Sequence, residues 1–240
     1  MKLLKKCSIL LALCLTCALV LAACGPFGGK NEKKTEPDTT KAENTTEEVT
    51  TEEPTTKEAA PAGNEFAKGI ISGNTYTNAY MNLKFEVPDG WTFETDAELA
   101  EDSEVSEEDY VNNFVSLANN SQVYDMAALR NDGTNISIIV QSGKGISSSA
   151  LRQAVEESAS GIEETLRKAG ATDVSWKMSD TSIPLDDYVC LEVASIISDI
   201  GNLYQKQVYA LVGDYAYVIT VTCVYTNDCD EIFGYFSKLK

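Results

Sequence analysis

Cys24 stands directly after Leu21-Ala22-Ala23, and its thiol is the group in this chain whose setting points most directly to a reaction. Ahead of it, a basic start (Lys2, Lys5, Lys6) leads into an apolar run from Ile9 to Leu21 that is interrupted only by Thr16. A charged head, an apolar core of about a dozen residues and small residues at a cut make a signal peptide, and such a core is short for a bilayer span. A nucleophilic thiol at the new N-terminus could take a thioether-linked diacylglycerol. Removal of residues 1–23 takes Cys7, Cys14 and Cys17 with it and leaves Cys190, Cys223 and Cys229 as the remaining thiols.

The four residues Leu21-Ala22-Ala23-Cys24 resemble the lipobox of bacterial lipoprotein precursors. That resemblance implies cleavage before Cys24, acylation of its thiol (palmitate among the chains) and attachment to the outer face of the cell membrane. One acyl chain holds a protein only marginally, whereas several anchor it. Three of the 19 basic residues precede Cys24, so the mature chain of 217 residues carries 16 basic against 37 acidic side chains. A net charge of −21 argues against nucleic acid and against a domain lying flat on anionic lipid. Dispersal in solution explains such acidity more simply than a cationic partner does.

The chain contains no histidine. Ser-His-Asp and Cys-His catalysis and histidine-ligated metal hydrolysis are therefore excluded. Serine-lysine chemistry through Lys144 or Lys177 finds no supporting motif around either lysine, and Gly143-Lys144-Gly145 lacks the spacing of a phosphate loop. The acidic stretch from Glu94 to Asp109 lacks the interleaved Asp-x-Asp-x-Asp-Gly pattern of a cation loop and reads as acid crowding at a helix N-terminus. No catalytic, cofactor or metal residues follow from the sequence, and a non-enzymatic protein is expected. A two-carboxylate glycosidase is the remote alternative and needs two acids facing each other across a groove.

Residues 24–68 read as the lipidated cysteine followed by a disordered tether. From Asn31 to Ala60 there are nine threonines and one lone aliphatic, Val49, too little apolar area to offset the entropy of ordering. A flexible chain of this length reaches ~35 Å. The globular domain is then 69–240, long enough for one good core. It opens with Leu83, Phe85 and Val87 on one strand face, closed by Pro88-Asp89-Gly90, and Trp91 and Phe93 continue the alternation. Ser106 with Asp109 caps a helix over 107–119, whose stripe is read as Tyr110, Val111, Phe114, Val115 and Ala118. Val123–Arg130 and Thr134–Gln141 form a hairpin around Asn131-Asp132-Gly133. Leu151, Val155, Ala159, Ile162, Leu166 and Ala169 give a single-faced helix over 149–169. Tyr188–Ile197, Leu203–Val212 and Tyr215–Tyr225 are joined too closely for crossovers and must form an antiparallel meander. Asp228 to Leu239 reads as a third helix. The expected fold is α+β, a single antiparallel sheet of about six or seven strands with three helices packed on it.

Gly73-x-x-Tyr76-x-Asn78-x-Tyr80-x-x-Leu83-x-Phe85-x-Val87-Pro88-x-Gly90-Trp91, the long helix after the first hairpin and the tyrosine-rich last strand resemble lipoproteins of Gram-positive, Clostridia-type bacteria. Their domain resembles the PsbP-like superfamily, which implies sheets with helices on both faces and brings no catalytic or binding residues with it.

Of the remaining thiols, Cys190 lies in a strand and reads as a buried apolar residue. Cys223 and Cys229 are six apart across a strand-to-helix turn, within disulfide range. A Cys223–Cys229 disulfide and three reduced thiols are both compatible with the sequence. For the domain's task two classes compete: a module that binds another extracytoplasmic protein or the cell wall, and a domain for a small ligand or cation. An exposed apolar groove or sheet edge favours the first, a closed pocket with converging polar groups the second.

Overall fold

The computed structural model describes residues 65–198 and 201–239. The expected signal peptide over 1–23, Cys24 and the expected tether as far as residue 64 lie outside the described residues. In chain order the elements are β1 (Ile70–Ser72), β2 (Thr75–Asn78), β3 (Leu83–Glu86), β4 (Trp91–Phe93), α1 (Asp96–Asp102), α2 (Glu107–Asn120), β5 (Val123–Arg130), β6 (Asn135–Ser142), α3 (Ser148–Lys168), β7 (Ala171–Ser179), β8 (Tyr188–Ile197), β9 (Gly201–Val212), β10 (Tyr215–Val224), α4 (Cys229–Phe233) and β11 (Phe236–Lys238).

Two antiparallel sheets replace the single one expected from sequence. One has the order β1-β2-β3-β11 and the other β4-β5-β6-β10-β9-β8-β7. Alternation at Leu83, Phe85 and Val87 identifies a buried face, but it carries no information about which strand pairs alongside. That partner is β11, with Phe85 opposite Phe236 and their rings 4.5 Å apart. The third helix expected over 228–239 is accordingly only α4, because Gly234 ends it and Phe236 enters the small sheet. Pro88-Asp89-Gly90, with Gly90 at φ +91, carries the chain from the small sheet to β4 of the large one.

Among the described residues four helices replace three. The added one, α1, falls in the acidic stretch and starts with a reciprocal cap. The Glu98 N–H donates to the Thr95 hydroxyl at 3.3 Å, and the Thr95 N–H donates to Glu98 Oε2 at 2.8 Å. Leu99 and Ala100 on this helix are buried. Thr95→Ala is expected to cost ~1 kcal/mol in urea unfolding, and an unshifted midpoint would deny the cap a role.

The meander is present: β8 pairs β9 and β9 pairs β10, both antiparallel. All ten residues of β10 are buried, because this strand is covered on both faces. Tyr217, Ile219 and Val221 sit opposite Val140, Ile138 and Ile136 of β6 and face the larger core. That core lies between the two sheets and also takes Tyr110, Phe114 and Ala118 of α2 and Ile232 and Phe233 of α4. Ala216, Val218 and Val224 face the second core, where Leu151, Val155, Ala159, Ile162 and Leu166 of α3 pack against β7, β8 and β9. Ala169, placed in this stripe from the sequence, is exposed at the helix C-cap.

Candidate functional site

A buried carboxylate joins the two sheets. Asp125 on β5 accepts hydrogen bonds from the Gly69 N–H (2.7 Å), the Tyr76 hydroxyl (2.5 Å) and the Asn78 side-chain amide (2.8 Å). Burial pushes its pKa above the ordinary carboxylate value, and these three donors act against that shift. The small-sheet strand β2 and the segment that enters β1 are thus fastened to the large sheet at one point. Phe66 and Lys68, which composition places at the end of the tether, pack on the domain. The Phe66 ring stacks on Tyr215 (centroids 3.4 Å apart) and meets Tyr80 edge-on, while Lys68 pairs with Asp96 and lies 4.7 Å from the Tyr110 ring centroid.

Between this strap and α2 runs a groove of about 660 Å³, lined on its apolar side by Ala67, Val111, Phe114 and Val115 and on its polar side by asparagines of the helix. The sequence placed Val111 and Val115 in the buried stripe, but they are 53% and 42% exposed. Tyr110, Phe114 and Ala118 fill the line of the helix that meets the core, so each valine, one position further on, is rotated about 100° away from it. The two exposed valines stand on either side of a kink in the helix at Asn113 (φ −124, ψ 19). The signal that could have exposed them in the sequence is Asn112 and Asn113 between them and Ser116 just after, which narrows the true stripe.

A second cleft, of about 510 Å³, lies between the sheets and is lined by Ile71, Trp91, Phe93, Glu94, Thr95 and Asp96 among others. Burial, followed by the nearby Asp102 charge, raises the Glu94 carboxyl to about 8, and Asp102 is itself raised by burial. Each of these two carboxyls shifts the other, so they lie close together, and Glu94 Oε2 is buried without a hydrogen-bond partner. Among the described residues no group of three or more cysteine, aspartate or glutamate side chains is placed to hold a metal ion.

The raised Glu94 pKa fixes the sign of a pH effect. The folded protein holds this proton more tightly than the unfolded chain, so the contribution is full below the ordinary value of 4.5 and is lost as pH rises to about 8. With no histidine to titrate in that window, melting temperature is expected to fall across it in the wild type and to stay flatter in Glu94→Gln. Parallel pH profiles of the two proteins would contradict the assignment.

The edges of the large sheet are β4 and β7. β7 carries a bulge between Thr172 and Ser175, with Asp173 at φ +50, and presents Lys177. Bulges and lysines on an edge discourage strand addition, so the groove beside α2 is the better docking feature of the two.

Of the residues singled out in the sequence, Cys24 lies outside the described residues. Cys223 at the end of β10 and Cys229 at the start of α4 are brought together as free thiols, with Sγ atoms 3.3 Å apart. Cys190 is buried on β8, and burial pushes its thiol up to about 12.

No protein-family model matches the sequence, and no curated protein matches it. Among solved structures the chain is similar to the solution structure of cyanobacterial PsbP (CyanoP) from Synechocystis sp. PCC 6803, at 12% identity over 76% of this chain and 99% of that one. The TM-score is 0.40, a weak likeness to a PsbP-like fold from which no site or activity is transferred.

Proposed function

We propose that this protein is a non-enzymatic, membrane-anchored extracytoplasmic lipoprotein. Cys24 carries the lipid, residues 25–64 supply reach from the membrane, and the domain binds another extracytoplasmic protein or the cell wall. The observation that carries the interaction reading is the exposed pair Val111 and Val115 lining the groove next to the strap. Exposed aliphatic side chains on a helix that lines a groove suit the anchor of a protein interface, whereas they do nothing for solubility.

Photocrosslinking in cells tests it. A crosslinking residue at position 111 or 115 is expected to capture a discrete protein or wall adduct, and one at Glu156, on the solvent side of α3, is expected not to. A small-ligand or cation-binding lipoprotein is the second reading, favoured by Trp91 and Phe93 lying beside Glu94 and Asp96 in the 510 Å³ cleft. Absence of adducts at 111 and 115, together with a metabolite that co-purifies and is lost in Trp91→Ala, would reverse the order.

A further inference from the structure

We propose that Cys223 and Cys229 form an intramolecular disulfide that clips the small sheet to the centre of the large one. Cys223 is the last residue but one of β10, in the middle of the seven-stranded sheet. Cys229 opens α4, and only Gly234 and Tyr235 separate that helix from β11 of the four-stranded sheet. The turn between the two thiols is built to return the chain. Tyr225 adopts φ +73, a left-handed conformation that a non-glycine residue takes at some cost, and its N–H donates to the Asn202 carbonyl at 2.9 Å. Arg130 fixes the residue before Cys229 by an ion pair to Asp228 (3.1 Å). The outcome is a sulfur-to-sulfur approach of 3.3 Å between side chains that are 0% and 1% exposed.

In the docked state the Cys229 S–H donates to the Cys223 sulfur. Closure requires an external disulfide as oxidant, either that of a thiol–disulfide oxidoreductase or a low-molecular-weight one. The Cys223 thiolate attacks it and expels one thiolate, leaving a mixed disulfide. Cys229, once deprotonated, attacks the Cys223 sulfur and expels the second. Two thiols are thereby oxidised, two protons are released, and the external disulfide takes up the two electrons. Both sulfurs are sealed once α4 docks, so exchange takes place before docking, and the finished bond is then shielded from reductant.

The test uses full-length protein isolated from native membranes, quenched in acid, unfolded and alkylated before any reduction. Trypsin leaves both cysteines on the single peptide 207–238, which has no internal lysine or arginine, while Cys190 lies on the peptide before it. The expected result is a 207–238 peptide that takes no alkyl group until it is reduced and then takes two, with Cys190 alkylated at the first step. Alkylation of both Cys223 and Cys229 before reduction would overturn the proposal. In detergent, wild type reduced while unfolded and refolded under reductant is expected to melt about 5–10 °C below the untreated protein, and Cys229→Ser treated in the same way is expected not to shift. Equal shifts in the two proteins would refute the clip.

Discussion

Leu166→Asp is expected to destabilise the domain by about 4 kcal/mol or more, while Glu163→Ala, three residues earlier on the same helix, should change stability by no more than ~0.5 kcal/mol. Leu166 is 1% exposed in the cluster formed by α3 with Val189, Leu191 and Val193 of β8. An aspartate there loses the packing of a full leucine side chain and places a carboxyl where no donor awaits it. Glu163 lies on the wet side and contributes an i,i+4 pair with Arg167 at 2.8 Å, an interaction worth little at a surface. Urea unfolding of both variants measures the contrast. A Leu166→Asp protein with an unshifted midpoint would show that α3 does not bury this stripe on the sheet.

Asp125→Ala is expected to have an effect of similar size, ~3–5 kcal/mol. The substitution leaves the Tyr76 hydroxyl, the Asn78 amide and the Gly69 N–H without their acceptor in a site closed to water. Asp125→Asn keeps one carbonyl oxygen but turns an NH₂ toward donors, so its loss should be smaller but still substantial. Hydrogen exchange would show where the energy goes. Protection at Gly69 and through β1 and β2 should drop first, because Asp125 ties these segments to β5. Uniform loss across the large sheet would instead place Asp125 within the general core and not at the junction.

What the sequence made legible was local. The α3 stripe, the hairpin around Asn131-Asp132-Gly133 and the meander from Tyr188 onward each follow from periodicity and short connections, and each is present. The small sheet was hidden because its decisive pairing, Phe85 with Phe236, joins the two ends of the domain, and alternation is silent about distant partners. Helix α1 was masked by its own acids, although Thr95 and Glu98 spell a capping box three residues apart. The candidate groove was obscured for a related reason. Val111 and Val115 are apolar and fall near helical spacing, so the pattern assigned them to the core, and only the observed position of Tyr110 and Phe114 turns them outward. Asp125 carried no sequence signal, since a single carboxylate within an apolar strand has no characteristic spacing.

The most direct test of a lipid-anchored protein is metabolic labelling with radioactive palmitate, with wild type and Cys24→Ala compared by membrane fractionation and N-terminal mass analysis. The account predicts a wild-type chain that begins at a labelled Cys24 and partitions into detergent, and an unlabelled Cys24→Ala chain that retains residues 1–23. Equal labelling of the two proteins, or a wild-type N-terminus elsewhere than Cys24, would contradict it.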